Sequence, residues 1–401
     1  MITIQEALQI IQKHVPPRRV AEVPLEQAMG RVLAADIHAP EPSPRFTNSA
    51  MDGFAVRWVD VQQARPQQPV VLKIVGESQA GFPFAGVVTT GTAVRINTGA
   101  VMPVGADTVV PVEDTRVEDE QVWVLSVNKK GQHVRYAGEE FKAGELLLTA
   151  GVEITPRHMA LLAALGVATV PVYASPEVAI LVTGSELVPF QESPAPGQVR
   201  ESNGLMLRAL VSASGGTVVY QAMVPDVLET TQQEIARAAE KADVLIFSGG
   251  VSVGPHDHVK EAARAEGFTP IFWRVKQKPG KPLFFAARKE TLLFGLPGNP
   301  VSAFMGYSYY IHPVLQQMSG REFRWNQRPG RLTSRVANTL DRTIFLRVQL
   351  VHTDTGWQVV PLKKQGSHML TSIAHADGFV VLEPGVTLEA GAEVTVYIFP
   401  Q

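Results

Sequence analysis

Lysines, carboxylates and glycine-rich turns recur together in this chain, and each group suits one kind of ligand. Lys276-Gln277-Lys278-Pro279-Gly280-Lys281-Pro282 carries three lysines on a stretch stiffened by two prolines. Lysine is a point-charge partner for phosphate, so this segment either presents cations to an anion or is a solvated basic loop. Ser248-Gly249-Gly250-Val251-Ser252-Val253-Gly254 offers closely spaced backbone N–H groups with little Cβ obstruction, the geometry that cradles an oxyanion. The competing reading is a tight strand-to-helix turn. Gly295-Leu296-Pro297-Gly298-Asn299-Pro300-Val301-Ser302 favours the anion, because Pro300 suits the first helical position and leaves a helix N-terminus open to a ligand. Glu186, Asp226 and Asp257 stand at matching places beside such turns. Carboxylates next to an anion repel it unless a cation intervenes, and Asp or Glu with substrate phosphates is the usual Mg²⁺ arrangement. Taken singly, each is an N-cap or a surface acid, and Asp257 could cap the helix that follows it.

Other chemistries are excluded or weak. The glycine turns match neither the dinucleotide fingerprint nor the P-loop. Gly250-Val251-Ser252-Val253-Gly254 has the letters of a nucleophile elbow, but Gly254-Pro255 delays the helix that the elbow requires. Ser252 is read instead as an anion-binding hydroxyl. His256 and His258 flank Asp257, and His375 stands near Asp377, but neither pair has a third nitrogen ligand at metal spacing. With no cysteine in 401 residues, disulfides, thiolate nucleophiles and Cys-type zinc or iron–sulfur sites are absent. Lys+Arg 36 against Asp+Glu 38 leaves a net charge of -2, so no global field recruits nucleic acid or an anionic membrane.

The elements that must hold these turns follow from periodicity. The chain is too long for one hydrophobic core. Thr3-Ile4-Gln5-Glu6 is a capping box opening a helix that Pro16-Pro17 ends, and a segment of this kind is expected to be part of the fold rather than a signal peptide. Leu25 to Ala39 is a second short element. From Arg45 to about Tyr136 short β runs such as Val70–Val75 and Val122–Val127 predict an inserted all-β domain. Thr155-Pro156 opens a helix closed by Gly166. From Pro176 strands alternate with helices: strands at Glu177–Val182, Thr217–Met223, Asp243–Ser248, near Phe268–Val275, at Leu283–Ala286 and Leu292–Gly295. The helices begin near Ser202, span Val227–Lys241, follow Asp257 and span Val301–Met318. That alternation predicts a mostly parallel, doubly wound α/β sheet, whose ligands bind beyond the carboxyl ends of its strands. Beyond Gly320 only β runs remain, predicting a small barrel or sandwich. The expected fold is therefore multidomain α/β and β: a linker domain (1–44 and 141–175), an inserted β-rich domain (45–140), a central doubly wound α/β domain (176–320) and a C-terminal β-barrel (321–401). No segment is long and apolar enough to span a bilayer, and a cytoplasmic protein is expected.

At Asn48-Ser49-Ala50-Met51-Asp52-Gly53-Phe54-Ala55-Val56-Arg57 the sequence resembles the molybdopterin molybdenumtransferases, the MoeA family that includes the gephyrin E domain. Arg95–Ala100 with Pro103 and Gly105-Ala106-Asp107, Arg135 with Gly138-Glu139, and Gln365-Gly366-Ser367-His368 continue the likeness, as do the four turns above. The resemblance covers the full length. It implies that the α/β domain binds molybdopterin and that the protein is an elongated homodimer with its active site in a cleft between subunits. The implied reaction inserts molybdate into adenylylated molybdopterin with Mg²⁺, releasing AMP and giving molybdenum cofactor. Molybdopterin adenylyltransferase and molybdoenzyme-maturation proteins are the implied partners.

Carried over by position, Asp52, Thr98, Arg135, Glu186, Asp226, Asp257, Lys278, Lys281 and Ser367 match functional positions. Asp52, Asp226 and Asp257 are taken as catalytic, with Glu186, Asp226 and Asp257 as candidate Mg²⁺ ligands. Substrate contacts are assigned to Thr98, Arg135, Glu186, Gly249, Gly250, Ser252, Lys278 and Lys281, and to Pro297, Gly298, Asn299, Pro300, Ser302 and Ser367. Thr47, Glu140 and His256 depart from the family pattern. Two other functions stay open: ATP-dependent adenylyl transfer, and a non-catalytic scaffold of the kind that binds receptor peptides.

Overall fold

A computed structural model describes residues 1–252, 257–354 and 356–400. His256, with the rest of the turn from Val253, lies outside the described residues. The chain divides into two compact units: Met1–Ala35 with Gly151–Met159 and Ala168–Gln401, and Asp36–Ala150 with Ala160–Val167.

The first unit opens on the expected capping box: Glu6 N–H donates to Thr3 Oγ1 at 3.1 Å, and Thr3 N–H donates to Glu6 Oε2 at 2.7 Å. The helix Ile4–Gln12 buries Ile4, Ala7 and Ile11 and stops short of Pro16, because a residue preceding proline is disfavoured in the helical region. The main sheet runs in the order Thr217–Val224, Glu177–Thr183, Val244–Ser248, Thr291–Leu296, Phe284–Arg288, Thr269–Trp273. Five strands run the same way, and Phe284–Arg288 alone runs against its two neighbours. Along Glu177–Thr183 successive side chains enter opposite cores. Val178, Ile180 and Val182 pack with Leu207 and Phe294 on one face, while Ala179 and Leu181 pack with Ile235 and Phe247 on the other. Burying each of these larger side chains is worth roughly 1.5–3 kcal/mol. Chain order reverses around Glu177–Thr183, so the turns after it and after Val244–Ser248 flank the crevice where such sheets bind ligands.

The single helix expected at Val301–Met318 is instead three consecutive pieces. Pro300–Gly306 is α-helical, Tyr307–Ile311 is a π-turn, and His312–Met318 returns to α. Pro313 has no N–H and crowds the carbonyl four residues earlier, so the turn ahead of it widens.

Five strands then close a barrel in which each pairs with two neighbours: Thr343–Thr353, Gly356–Pro361, Gln327–Leu332, Glu393–Ile398 and Gly378–Leu382. Leu332, Leu346, Val348, Val359, Val380, Val394 and Val396 fill it. Closure removes the free sheet edges that invite aggregation. Gln277–Lys278 joins this sheet in parallel beside Thr343–Ile344.

The second unit centres on a six-stranded sheet ordered Thr108–Pro111, Gly53–Val56, Thr92–Ile96, Val70–Ser78, Gln121–Val124, Thr115–Glu118. Phe54, Val56, Leu72, Val110 and Val124 form its core, together with Val61 from a short helix, Trp58–Val61, that an all-β reading did not foresee. Gly53 is required by close approach, since a Cβ there would lie 2.1 Å from the Val110 carbonyl oxygen. Among the described residues no helix is long and apolar enough to cross a membrane.

Candidate functional site

A cavity of about 930 Å³ opens at the carboxyl ends of the parallel strands and is lined wholly by residues of the first unit. Thr183, Gly184 and Glu186 come from the turn after Glu177–Thr183, and Asp226 follows Thr217–Val224. Gly249, Gly250, Ser252 and Asp257 come from the turn after Val244–Ser248, and Pro297, Gly298, Asn299 and Ser302 from the turn after Thr291–Leu296. Lys278 and Lys281 form one wall, and Gln365, Gly366, Ser367 and His368 another. Each of these segments contributes to the lining, though not with every residue. Pro300 is absent from the lining, and Lys276, first of the lysine run, lies outside it near Glu6, whose carboxyl it helps hold below its ordinary value after the dominant Thr3 hydrogen bonds.

Hydrogen bonds reassign several roles. Gly249 N–H donates to the Leu296 carbonyl at 2.9 Å, so it serves the sheet rather than an anion. Gly249 and Gly250 have φ of +99° and +67°, and Cβ atoms there would meet Thr183 O at 2.5 Å and Val259 Cγ2 at 2.7 Å. The two glycines are thus demanded by close packing within the protein, as the tight-turn reading of this segment requires. The carbonyls of Val251 and Ser252 accept from Trp273 Nε1 and Lys260 Nζ at 2.8 and 2.7 Å, with Lys260 seated over the Trp273 ring. Burial pulls the Lys260 ammonium below its ordinary value, offset in part by the Asp257 charge. The open helix N-terminus is also partly closed: Val301 N–H donates to the Ser367 carbonyl at 3.1 Å.

Neither Asp226 nor Asp257 occupies a helix N-cap position. His258, not Asp257, occupies the N-cap of Val259–Ala265, and Asp226 precedes the N-cap Val227 of the helix Leu228–Ala239. Asp226 Oδ2 instead accepts Ser185 N–H at 3.0 Å, tying two strand ends together. Among the described residues no three His, Asp or Glu side chains converge as a ready-made metal site. Carboxylates and lysines lining one cavity suit a hard cation that takes part of its shell from substrate oxygens. In the same wall the Thr183 hydroxyl is buried without a hydrogen-bond partner among the described residues.

Asp52, Thr98 and Arg135 belong to the second unit. Asp52 Oδ1 accepts from Thr98 N–H at 2.6 Å and from Thr98 Oγ1 at 3.0 Å. The Thr98 backbone bond chiefly, then its hydroxyl, hold the exposed Asp52 carboxyl below its ordinary value. Arg135 is exposed on a strand paired with Asn48–Ser49, the segment leading to Asp52. Of the departures from the family pattern, Glu140 accepts a hydrogen bond from Ser43 at 2.6 Å and Thr47 Oγ1 accepts one from Ala137 N–H at 3.3 Å.

Sequence reasoning missed the residues that fasten these turns. Asn203 Nδ2 donates to Ser248 Oγ at 2.9 Å and to the Gly298 carbonyl at 2.7 Å, clamping two of the four turns. Gln365 brackets Arg347, accepting its N–H at 3.2 Å and donating to its carbonyl at 2.9 Å. The Arg347 guanidinium is buried without a hydrogen-bond partner among the described residues, and burial draws it down to about 10. An arginine inside the apolar run Ile344–Val348 was its visible signal.

Three family descriptions match in chain order: "MoeA N-terminal region (domain I and II)" over residues 2–166, "Probable molybdopterin binding domain" over 179–317, and "MoeA C-terminal region (domain IV)" over 329–399. A molybdopterin molybdenumtransferase of Haemophilus influenzae is 33% identical over 406 residues, covering 100% of this chain and 99% of that protein. Molybdopterin molybdenumtransferase 2 of Mycobacterium tuberculosis is 35% identical over 404 residues, covering 99% of each. A crystal structure of the molybdopterin biosynthesis MoeA protein from Pyrococcus horikosii superposes with a TM-score of 0.86 at 31% identity, covering 100% of both chains.

Proposed function

Since the chain belongs to the MoeA family of molybdopterin molybdenumtransferases, enzymes of molybdenum cofactor biosynthesis, we propose that it takes adenylylated molybdopterin and molybdate as substrates and releases AMP as the cofactor forms. The observation that carries this reading is the meeting of Glu186, Asp226 and Asp257 with Lys278 and Lys281 around one cavity of about 930 Å³. Such a mixture suits a substrate bearing a phosphoanhydride and suits few neutral ligands.

Glu186, Asp226 and Asp257 would hold Mg²⁺, which when bound screens the charge of the phosphoanhydride. Lys278 and Lys281 bind the nucleotide phosphates and take up the charge that grows on the leaving phosphate. Pro297, Gly298 and Asn299 bring backbone close to the ligand, and Ser252, Ser302 and Ser367 contribute polar contacts. Asp52, kept ionised by Thr98, orients the molybdate oxygens or accepts a proton from them, with Arg135 nearby as a cation for the same oxyanion. In this reading two copies pair as a homodimer, and Asp52 of one protomer serves the cavity of its partner. The four-domain division and a cytoplasmic setting belong to the same proposal. Molybdopterin adenylyltransferase would supply the substrate, and maturation proteins would receive the product.

The test is to incubate the purified protein with adenylylated molybdopterin, molybdate and Mg²⁺ and measure AMP. Release that depends on all three is the expected result. A folded protein that releases none would sink the proposal, and AMP transfer from ATP to molybdopterin would reassign it to the adenylylation step.

A further inference from the structure

Beside the lysine turn lie two buried polar side chains that the chemistry above does not use: Gln277, which also belongs to the cavity lining, and Tyr310, which does not. Tyr310 and Gln277 are 0% and 1% exposed. The Tyr310 hydroxyl donates to Gln277 Oε1, and Gln277 Nε2 donates to the Gly280 carbonyl at 2.9 Å. The far end fixes the polarity of this chain. A backbone carbonyl only accepts, so the amide nitrogen must face Gly280, the amide oxygen must face Tyr310, and the phenol must donate. Burial, with a smaller contribution from Tyr309, pushes the Tyr310 phenol well above its ordinary value, so it keeps its proton. Gly280 stands between Lys278 and Lys281 at φ +85°, and a Cβ there would lie 2.9 Å from Gln277 Nε2. The turn therefore rests directly on the amide. Gln277 is itself fixed from two sides, by its strand pairing with Thr343 of the barrel and by Tyr310 of the π-turn.

We propose that Tyr310 and Gln277 are positioning residues that, through the Gly280 carbonyl, hold the Lys278–Lys281 turn in the shape that presents both ammonium groups to the anionic substrate. This rests on the lysine role proposed above. It adds that the role depends on a relay reaching from the last helix of the α/β domain to the turn.

The test measures the Kd of adenylylated molybdopterin on the full-length protein, beside the unfolding midpoint. Tyr310→Phe removes one hydroxyl and should weaken binding about tenfold, the loss expected for one buried hydrogen bond. In a Lys278→Gln/Lys281→Gln background the same change should weaken binding no further, because the groups being positioned are gone. Tyr310→Phe/Gln277→Leu removes the Tyr310–Gln277 bond at both ends and the Gln277–Gly280 bond with it, and should bind no more tightly than Tyr310→Phe whatever its unfolding midpoint. If Tyr310→Phe does not fold, Gln277→Leu alone carries the same comparison. Wild-type affinity in Tyr310→Phe, equal losses in both backgrounds, or affinity that recovers with the midpoint would each overturn the relay. If the lysine variant itself binds normally, the lysine role fails and the relay falls with it.

Discussion

Asp52 shows how one hydrogen-bond pair narrows the meaning of a residue. Its bonds to Thr98 join two loops, so it is more than a cap on its own turn. A carboxyl held below its ordinary 3.8 contributes stability that is present above that pH and is lost as pH falls through the lower folded value. Thr98→Val removes one of the two donors and should raise the Asp52 carboxyl toward 3.8, read by NMR titration. Asp52→Asn can still accept from Thr98 but has lost its charge. It should stay folded while giving up the charge-dependent part of that stability, bind adenylylated molybdopterin and release no AMP in a single turnover, and wild-type turnover would end the catalytic assignment. The glycines separate in the same way. A Cβ on Gly298 would meet nothing nearer than Gly249 Cα at 3.8 Å, whereas Gly250 has positive φ and a tight neighbour. Gly298→Ala should leave the melting point unchanged and weaken substrate binding, while Gly250→Val should lower the melting point before any ligand is added.

Among the elements, the broken helix Pro300–Met318 has the clearest measurable consequence. His312 starts its final segment, with Nδ1 2.7 Å from Ser214 Oγ, and burial pulls its imidazole down to about 4. Between the ordinary 6.5 and about 4 the unfolded chain binds a proton that the folded one refuses, so stability falls as pH falls through that window. The full effect is about 3 kcal/mol. His312→Gln should flatten this acid limb in unfolding midpoints measured from pH 7 to 4, and an unchanged slope would refute the assignment. The same helix marks where sequence reading stops. Its existence was legible from periodicity, as were the capping box at Thr3 and the alternation of strands and helices that places four turns at one sheet end. The π-turn was signalled only by Pro313, a single residue inside a strong helical pattern. Asn203 and Gln277 were not legible at all. Asn203 acts on partners 45 and 95 positions away, and Gln277 on a tyrosine 33 positions away. No local pattern records such pairings, whereas lysines and glycines around a cavity announce themselves by type.

For the whole molecule, the residues assigned to one reaction are divided between two compact units, with Asp52 in one and Asp257 in the other. If catalysis pairs Asp52 of one protomer with Asp257 of its partner, Asp52→Asn and Asp257→Asn proteins should each be inactive alone. Subunits exchanged at equal amounts would then form mixed dimers carrying one intact site each, restoring about a quarter of wild-type AMP release in a two-fold symmetric dimer. Activity that never returns on mixing would place both residues in the same protomer's site.

The first unit is also discontinuous along the chain, and that has a bearing on how it is made. Ile2 bridges to Val275, and Val20–Pro24 pairs with Thr169–Tyr173. At about 5–20 residues per second a ribosome needs on the order of 15–50 seconds to deliver Val275 after Ile2. Throughout that interval the sheet that Ile4, Ala7 and Ile11 pack with is incomplete, while the contiguous stretch Asp36–Ala150 emerges whole and is free to fold. Folding thus starts in the middle of the chain, and the opening helix is the segment a nascent-chain chaperone would have to shelter longest.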